Sequence, residues 1–148
     1  MGINSDLREF VRLLNLNNVE YIIVGAYALA YHGAPRYTGD IDLLIKMGRK
    51  NASRIVTAIN EFGFASLGLT EEDFLEPNMV IQLGQPPFRI DILTSITSVS
   101  WTEAERGAEF GEYEGLKVRY LGKQEYIKNK KALGRKKDLA DIEALEND

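Results

Sequence analysis

The apolar residues of this chain change period along its length. Leu7, Phe10, Val11 and Leu14 recur at helical spacing, which predicts an opening helix with Asp6 and Glu9 as its N-terminal cap and Asn17 and Asn18 at its end. "VEYIIVG", Val19 to Gly25, is a short β-branched run closed by glycine and reads as a central strand. A brief helix over Ala26 to His32 follows, then a loop, "HGAPRYTGD", punctuated by Gly33, Pro35 and Gly39. "DIDLLIK" predicts a second strand, and apolar positions 55, 56, 59 and 62 predict a helix over Ser53 to Phe62 that Gly63 stops. "MVIQLGQPPFRIDILTSI" reads as two strands joined through Gly84 to Pro87, because proline cannot donate to a ladder. Ser100 and Glu103 make a capping box for a short helix carrying Trp101, and "EFGEYEGLKVRYLG" a hairpin turning at Glu114 and Gly115. Two helices near 123–133 and 137–146 complete the chain.

This order has too few strand–helix–strand crossovers for a doubly wound sheet. It predicts an α+β fold, a mixed sheet with helices packed on its apolar face. The length, 148 residues, suits one domain with a real core. With 45% hydrophobic and 27% charged residues the composition is globular rather than disordered or fibrous. The absence of cysteine excludes disulfides and thiolate metal sites. No segment has the pattern of a signal peptide, and none approaches the roughly 20 apolar residues of a membrane span, so the expectation is a cytoplasmic protein without membrane contact. The net charge of −4 hides an asymmetry: Lys117 to Lys137 holds nine Lys or Arg against one acid, Glu125, a segment of +8 that leaves −12 for the remainder. Such a split sets a basic wall against an acidic cleft, offers a patch to phosphates, or is a solvated helix face.

The acidic residues give the first candidate chemistry. On a strand, residues two apart share a face, so Asp40 and Asp42 project together while Ile41, Leu43 and Ile45 point to the other side. In "FRIDILT" the same parity sets Arg89 and Asp91 on one face and Ile90 and Ile92 on the other. If the two strands are neighbours, about 4.8 Å apart, three carboxylates converge. Such a cluster raises its own pKa values unless cations compensate it, and oxygen ligands without His or Cys suit Mg²⁺ or Mn²⁺. A pair of such ions about 3.5 to 4 Å apart stabilises the attacking and leaving oxygens of an in-line phosphoryl displacement. The turn at Gly25, a strand running into a helix start, adds backbone N–H groups that can hold phosphate oxygens.

"VGAYALAYHGAPRYTGDIDLLI" resembles the signature of the nucleotidyltransferase superfamily typified by DNA polymerase beta: a strand, a glycine-led turn, a short helix, an Asp-x-Asp strand and a third carboxylate on a later strand. It is most similar to small proteins related to AbiEii-type toxins, through Gly25, Ala28, His32, Gly33, Arg36, Thr38, Asp40 and Asp42, and through Lys130, Gly134, Arg135, Lys137, Asp138 and Asp141 of "KNKKALGRKKDLADIEAL". The resemblance runs from about Val19 to Leu145. It implies that Asp40, Asp42 and Asp91 are catalytic and bind Mg²⁺ or Mn²⁺, with Asp91 helping to activate an acceptor hydroxyl. It implies further that Gly25, Ala26, Arg36, Thr38, Lys130 and Arg135 bind the nucleotide. The implied reaction moves a nucleoside monophosphate from an NTP to an acceptor, with tRNA or other RNA, protein and small molecules as candidates and an antitoxin as a candidate partner. Residues 1–98 would then form the core with the aspartate triad, and residues 99–148 the hairpin and the basic helices that close the cleft. One departure stands out: Ala26 occupies a position that is Ser or Gly in this family. A rival reading is a non-catalytic nucleotide-binding or protein-interaction module that keeps the fold.

The remaining polar residues read mostly as structural. The single histidine, His32, near a helix end, is expected to position the loop leading to Asp40. Trp101 is expected in the core, and Asp138 and Asp141 in helix capping and ion pairs with Arg135 or Lys137. Arg89 is expected either to neutralise the carboxylates or to meet the nucleotide.

Overall fold

The computed structural model describes residues 3–34, 39–85 and 88–146. In chain order the elements are α1 (Ile3–Leu16), β1 (Tyr21–Val24), α2 (Gly25–Tyr31), β2 (Asp40–Ile45), α3 (Arg49–Ile59), β3 (Val80–Gln85), β4 (Phe88–Leu93), α4 (Trp101–Gly107), β5 (Glu109–Tyr113), β6 (Leu116–Tyr120), α5 (Lys123–Leu133) and α6 (Lys136–Glu146). The strands make one mixed sheet in the order β3-β4-β2-β1-β6-β5. The pairs β1/β2, β3/β4 and β5/β6 are antiparallel, and β1/β6 and β2/β4 are parallel. This is the α+β mixed sheet expected from the pattern.

Strand parity divides the molecule into two layers about the sheet. Ile23 pairs with Tyr120, and the Tyr120 ring stacks on Tyr31 of α2 at 4.2 Å. Its neighbour Arg119 therefore points the other way, where its guanidinium lies 5.7 Å from the Trp101 ring of α4 and bonds Glu105. So α2 and α4 cover opposite faces. The register carries the apolar face across the sheet, since Leu43 lies opposite Ile23 and Ile92 opposite Leu43. Ile41, Leu43, Ile45, Ile90 and Ile92 are buried there in one core with Leu7, Phe10, Val11 and Leu14 of α1 and Ile55 and Ile59 of α3. Each such side chain, fully buried, contributes roughly 1.5–3 kcal/mol. The face shared by Val24 and Asp42 is the one that α4 covers.

Three local features differ from the reading of the pattern. α1 begins at Ile3, so Asp6 sits inside its first turn rather than at the cap, where its charge meets the helix dipole, and Glu9 pairs with Arg12 at 2.7 Å. α3 begins at Arg49 rather than Ser53 because the Asn51 carboxamide ties its first turn to the residues just before β1 and just after β2. That amide donates to Lys46 O at 2.7 Å and to Glu20 O at 3.0 Å, and accepts from Glu20 N at 2.8 Å. Beyond Ile59 the chain widens into a π turn, Asn60–Phe64, and two 3₁₀ turns, the second opened by a Thr70–Asp73 capping box. Elsewhere the expected joints hold. The Ser100–Glu103 box starts α4, and Glu114 and Gly115 turn the β5–β6 hairpin. Gly134, not singled out as a helix end by the pattern, closes α5 in the left-handed conformation with its N–H on Lys130 O at 2.9 Å. Gln85 and Phe88 pair across the β3–β4 turn, whose prolines lie outside the described residues. No helix among the described residues is long and apolar enough to cross a membrane.

Candidate active site

The parallel pairing of β2 with β4 sets Asp42 directly beside Asp91 and Asp40 beside Arg89. All four therefore project from the face that α4 covers, which joins the separate Asp-containing segments into one cluster. Asp91 is buried, and Asp40 and Asp42 are partly buried. Burial first, then the charge and hydrogen bond of Asp91 and the charge of Asp40, push the Asp42 carboxyl up to about 6 from its ordinary 3.8, against a smaller opposite pull from Lys130. Arg89 supplies the close counter-charge. Its Nε donates to Asp91 Oδ1 at 2.7 Å, and the same guanidinium donates to Asp91 Oδ2 at 3.1 Å and Asp40 Oδ2 at 3.3 Å.

Gly25 makes the floor of this cluster. Its φ is +65°, and a Cβ built there would stand 2.2 Å from Asp42 Oδ2. The residue is glycine both for its backbone and because the Asp42 carboxylate occupies the space a side chain would fill. The sequence showed the turn but not this contact, since the spacing between positions 25 and 42 gives no hint of it. Ala26, next along, is buried and has only its backbone to present.

The C-terminal helices bring one cation to the cluster and hold another back. Lys130 of α5, which pulls Asp42 down, has its Nζ 3.6 Å from Asp138 Oδ1 and 5.4 Å from the centroid of the Tyr126 ring. Tyr126 in turn donates to Asp141 Oδ2 at 3.5 Å. Arg135 is committed to Asp138, with Nε 2.6 Å from Oδ2 and its backbone N–H on the same oxygen at 3.1 Å. Asp138 thus caps α6 as expected, holds Arg135 down, and also anchors Lys130, a partner that sequence spacing did not suggest. Of the expected nucleotide-binding residues, Gly25 abuts Asp42, Ala26 follows Gly25 on α2, Lys130 acts on Asp42 by its charge, and Arg135 is turned to Asp138. Arg36 and Thr38 lie outside the described residues.

His32 is tied by Nε2 to Leu121 O at 2.7 Å, with Nδ1 3.7 Å from Glu109, and so joins α2 to the end of β6; residues 35–38 of the loop it was expected to position lie outside the described residues. Trp101 packs against the core, as expected. Four of the nine cations of the basic segment are in internal pairs: Arg119 with Glu105, Lys128 with Glu103, and Lys130 and Arg135 with Asp138. Tyr120 and Tyr126, its aromatic residues, are buried.

The donor chemistry of the cluster, carboxylate oxygens without imidazole or sulfur, is of the kind a hard divalent cation takes. Among the described residues, however, no three acidic or imidazole side chains are arranged as a ready-made cation cage. Arg89 holds two of the three carboxylates.

No protein-family model matches the chain, and no curated protein sequence matches it. Solved structures do. A candidate nucleotidyltransferase of Thermotoga maritima superposes with a TM-score of 0.57 at 18% identity, over 95% of this chain and 88% of that one. The chain has the nucleotidyltransferase fold. The antibiotic-resistance factor ANT(2'')-Ia matches at 0.59 and 12% identity, over 97% of this chain and 82% of that one. The lincosamide antibiotic adenylyltransferase LnuA, in its lincomycin-bound form, matches at 0.53 and 11% identity, over 96% and 95%. A nucleotidyltransferase fold thus places one mixed sheet beneath the carboxylates of this chain, although nothing in its sequence matches these proteins closely.

Proposed function

We propose that this protein is a metal-dependent nucleotidyltransferase that moves a nucleoside monophosphate from an NTP to an acceptor hydroxyl. The observation that carries the reading is the in-register pairing of Asp42 with Asp91, with Asp40 and Lys130 gathered at the same face. Asp40, Asp42 and Asp91 would hold Mg²⁺ or Mn²⁺, which supplies charge neutralisation for the phosphates and for the developing oxyanion. Asp91 accepts the acceptor's proton as its oxygen bonds to the α-phosphorus, and the bond from that phosphorus to the departing pyrophosphate breaks. Lys130, steadied by Asp138 and the Tyr126 ring, offers a fixed positive charge to the triphosphate. Backbone N–H groups at Gly25 and Ala26 take its oxygens. Such chemistry asks the protein for placement and charge rather than for a covalent intermediate.

The state of the basic segment bears on the acceptor class. Four of its nine cations are paired internally and its tyrosines are buried, which supports a small molecule or a protein hydroxyl over tRNA, whose grip would show as affinity falling steeply with salt. The link to AbiEii-type toxins, with an antitoxin as partner, rests on the Gly25 to Asp42 and Lys130 to Asp141 motifs together. Incubation with α-labelled NTP, Mg²⁺ and cell extract tests the proposal: a labelled acceptor and released pyrophosphate are expected, both lost in Asp40→Ala, and equal labelling by the variant rejects it. Ala26, where a side-chain hydroxyl is missing, favours a second reading as a nucleotide-binding module without transfer. NTP binding with Mg²⁺ and no labelled product in any fraction would select it.

A further inference from the structure

One guanidinium takes the oxygens that a cation would need. Arg89 and Asp91 share the acid face of β4, and parallel pairing sets Arg89 beside Asp40, so a single side chain reaches both carboxylates. It engages both oxygens of Asp91 and one of Asp40, at 2.7, 3.1 and 3.3 Å. The two Asp91 bonds form the parallel fork that suits a planar guanidinium to a carboxylate. Arginine cannot lose its charge in a protein, so this contact is not relaxed by deprotonation. A divalent cation on the same oxygens would face the guanidinium at contact distance, and one of the two must leave.

The surroundings let the guanidinium be the one that leaves. The Arg89 side chain is 29% exposed, whereas that of Lys130, the other cation of the cluster, is 15% exposed and held from behind by Asp138 and the Tyr126 ring. On its other flank Arg89 stands in register with Gly84 of edge strand β3, which has no side chain to bar a swing towards solvent. We propose that Arg89 is a built-in counter-cation: it holds Asp40 and Asp91 closed, and divalent metal loads the site only by displacing it. This rests on the metal-dependent reading above and adds its regulation. The device has two consequences. The carboxylates stay neutralised before metal arrives, and metal affinity is lower than three acidic ligands alone would give.

Calorimetric titration with Mn²⁺ of the wild-type chain and of Arg89→Gln tests this. The variant is expected to bind Mn²⁺ at least about tenfold more tightly, the weight of one hydrogen bond to a charged group. In chelator it should melt below the wild type, and saturating Mn²⁺ should close that gap. Equal or weaker Mn²⁺ binding by the variant overturns the inference, because Arg89 would then orient Asp91 for metal rather than compete with it. Failure of both proteins to bind Mn²⁺ removes the metal reading along with the inference. Should Arg89→Gln not fold, the wild type gives the answer by nitrogen-15 spectra of arginine Nε–H groups, with the Arg89 signal assigned through Arg89→Lys. That signal should be protected from water exchange in chelator and lose protection as Mg²⁺ is added; protection unchanged at saturating Mg²⁺ overturns the proposal.

Discussion

Replacing Asp42 with asparagine is expected to stabilise the protein while abolishing its proposed activity. Asp42 faces Asp91 and Asp40, with Lys130 as the opposing charge, and its carboxyl titrates near 6 instead of 3.8. Its folded-state pKa is raised, so its contribution to stability is fully present below 3.8 and is lost as pH rises through about 6. At about 1.36 kcal/mol per tenfold change in proton affinity, the ionised group disfavours the folded state by about 3 kcal/mol at pH 7.5, and by about 1 kcal/mol at pH 4.5. Asparagine never ionises, keeps nearly the same volume against Gly25, and can donate to Asp91. In chelator at pH 7.5, Asp42→Asn should therefore melt above the wild type, by roughly 6–12 °C for a chain of this size. The gap should shrink by more than half at pH 4.5. Urea denaturation at the two pH values gives the same comparison as free energies. A variant no more stable than the wild type at pH 7.5, or a gap independent of pH, would refute the claim that Asp42 is a destabilised carboxylate awaiting a cation.

Gly25→Ala should lower the melting temperature by several degrees and remove activity, because positive φ alone costs a side chain roughly 1–2 kcal/mol and the new Cβ would fall 2.2 Å from Asp42 Oδ2; a fully active Gly25→Ala protein would contradict the packing described. Asp138→Ala removes a cap from α6 and releases both Lys130 and Arg135, so urea denaturation should show a loss of at least roughly 0.5–2 kcal/mol, the range for a helix cap, and NTP affinity should fall as well. Unchanged nucleotide affinity would detach Asp138 from the site. Adding Mg²⁺ or Mn²⁺ to chelator-treated wild type should raise its melting temperature, by about 2.7 kcal/mol of stability at a hundred times the dissociation constant, and should leave Asp40→Ala unmoved; equal shifts would place the metal elsewhere.

How far the fold could be read beforehand depended on whether the signal was local. The period-2 runs of β2 and β4 and the period-3.6 run of α1 are local, and each element lies where its pattern predicted. Parity alone put Asp40, Asp42, Arg89 and Asp91 on polar faces, and the pairing of β2 with β4 then brought those faces together. What could not be read depends on contacts distant in sequence. The early start of α3 follows from Asn51 binding Glu20 and Lys46, and the need for glycine at position 25 follows from a carboxylate seventeen residues on. The anchoring of Lys130 needed the α5–α6 turn, which Gly134 signals, together with a burial of Asp138 that composition does not reveal. The π turn over Asn60–Phe64 leaves no mark in the apolar period, since Phe62 continues the spacing of Ile55 and Ile59, and so the pattern predicts a regular helix up to Gly63.

The most direct test of the central claim is diffraction at the manganese absorption edge from crystals soaked with Mn²⁺ and a non-hydrolysable NTP analogue. The account predicts anomalous peaks within coordination distance, about 2.1–2.3 Å, of the carboxylate oxygens of Asp40, Asp42 and Asp91, with Arg89 withdrawn and the triphosphate running towards Lys130. Peaks confined to other surface carboxylates, with Arg89 still bridging Asp40 and Asp91 at saturating Mn²⁺ and nucleotide, would contradict it.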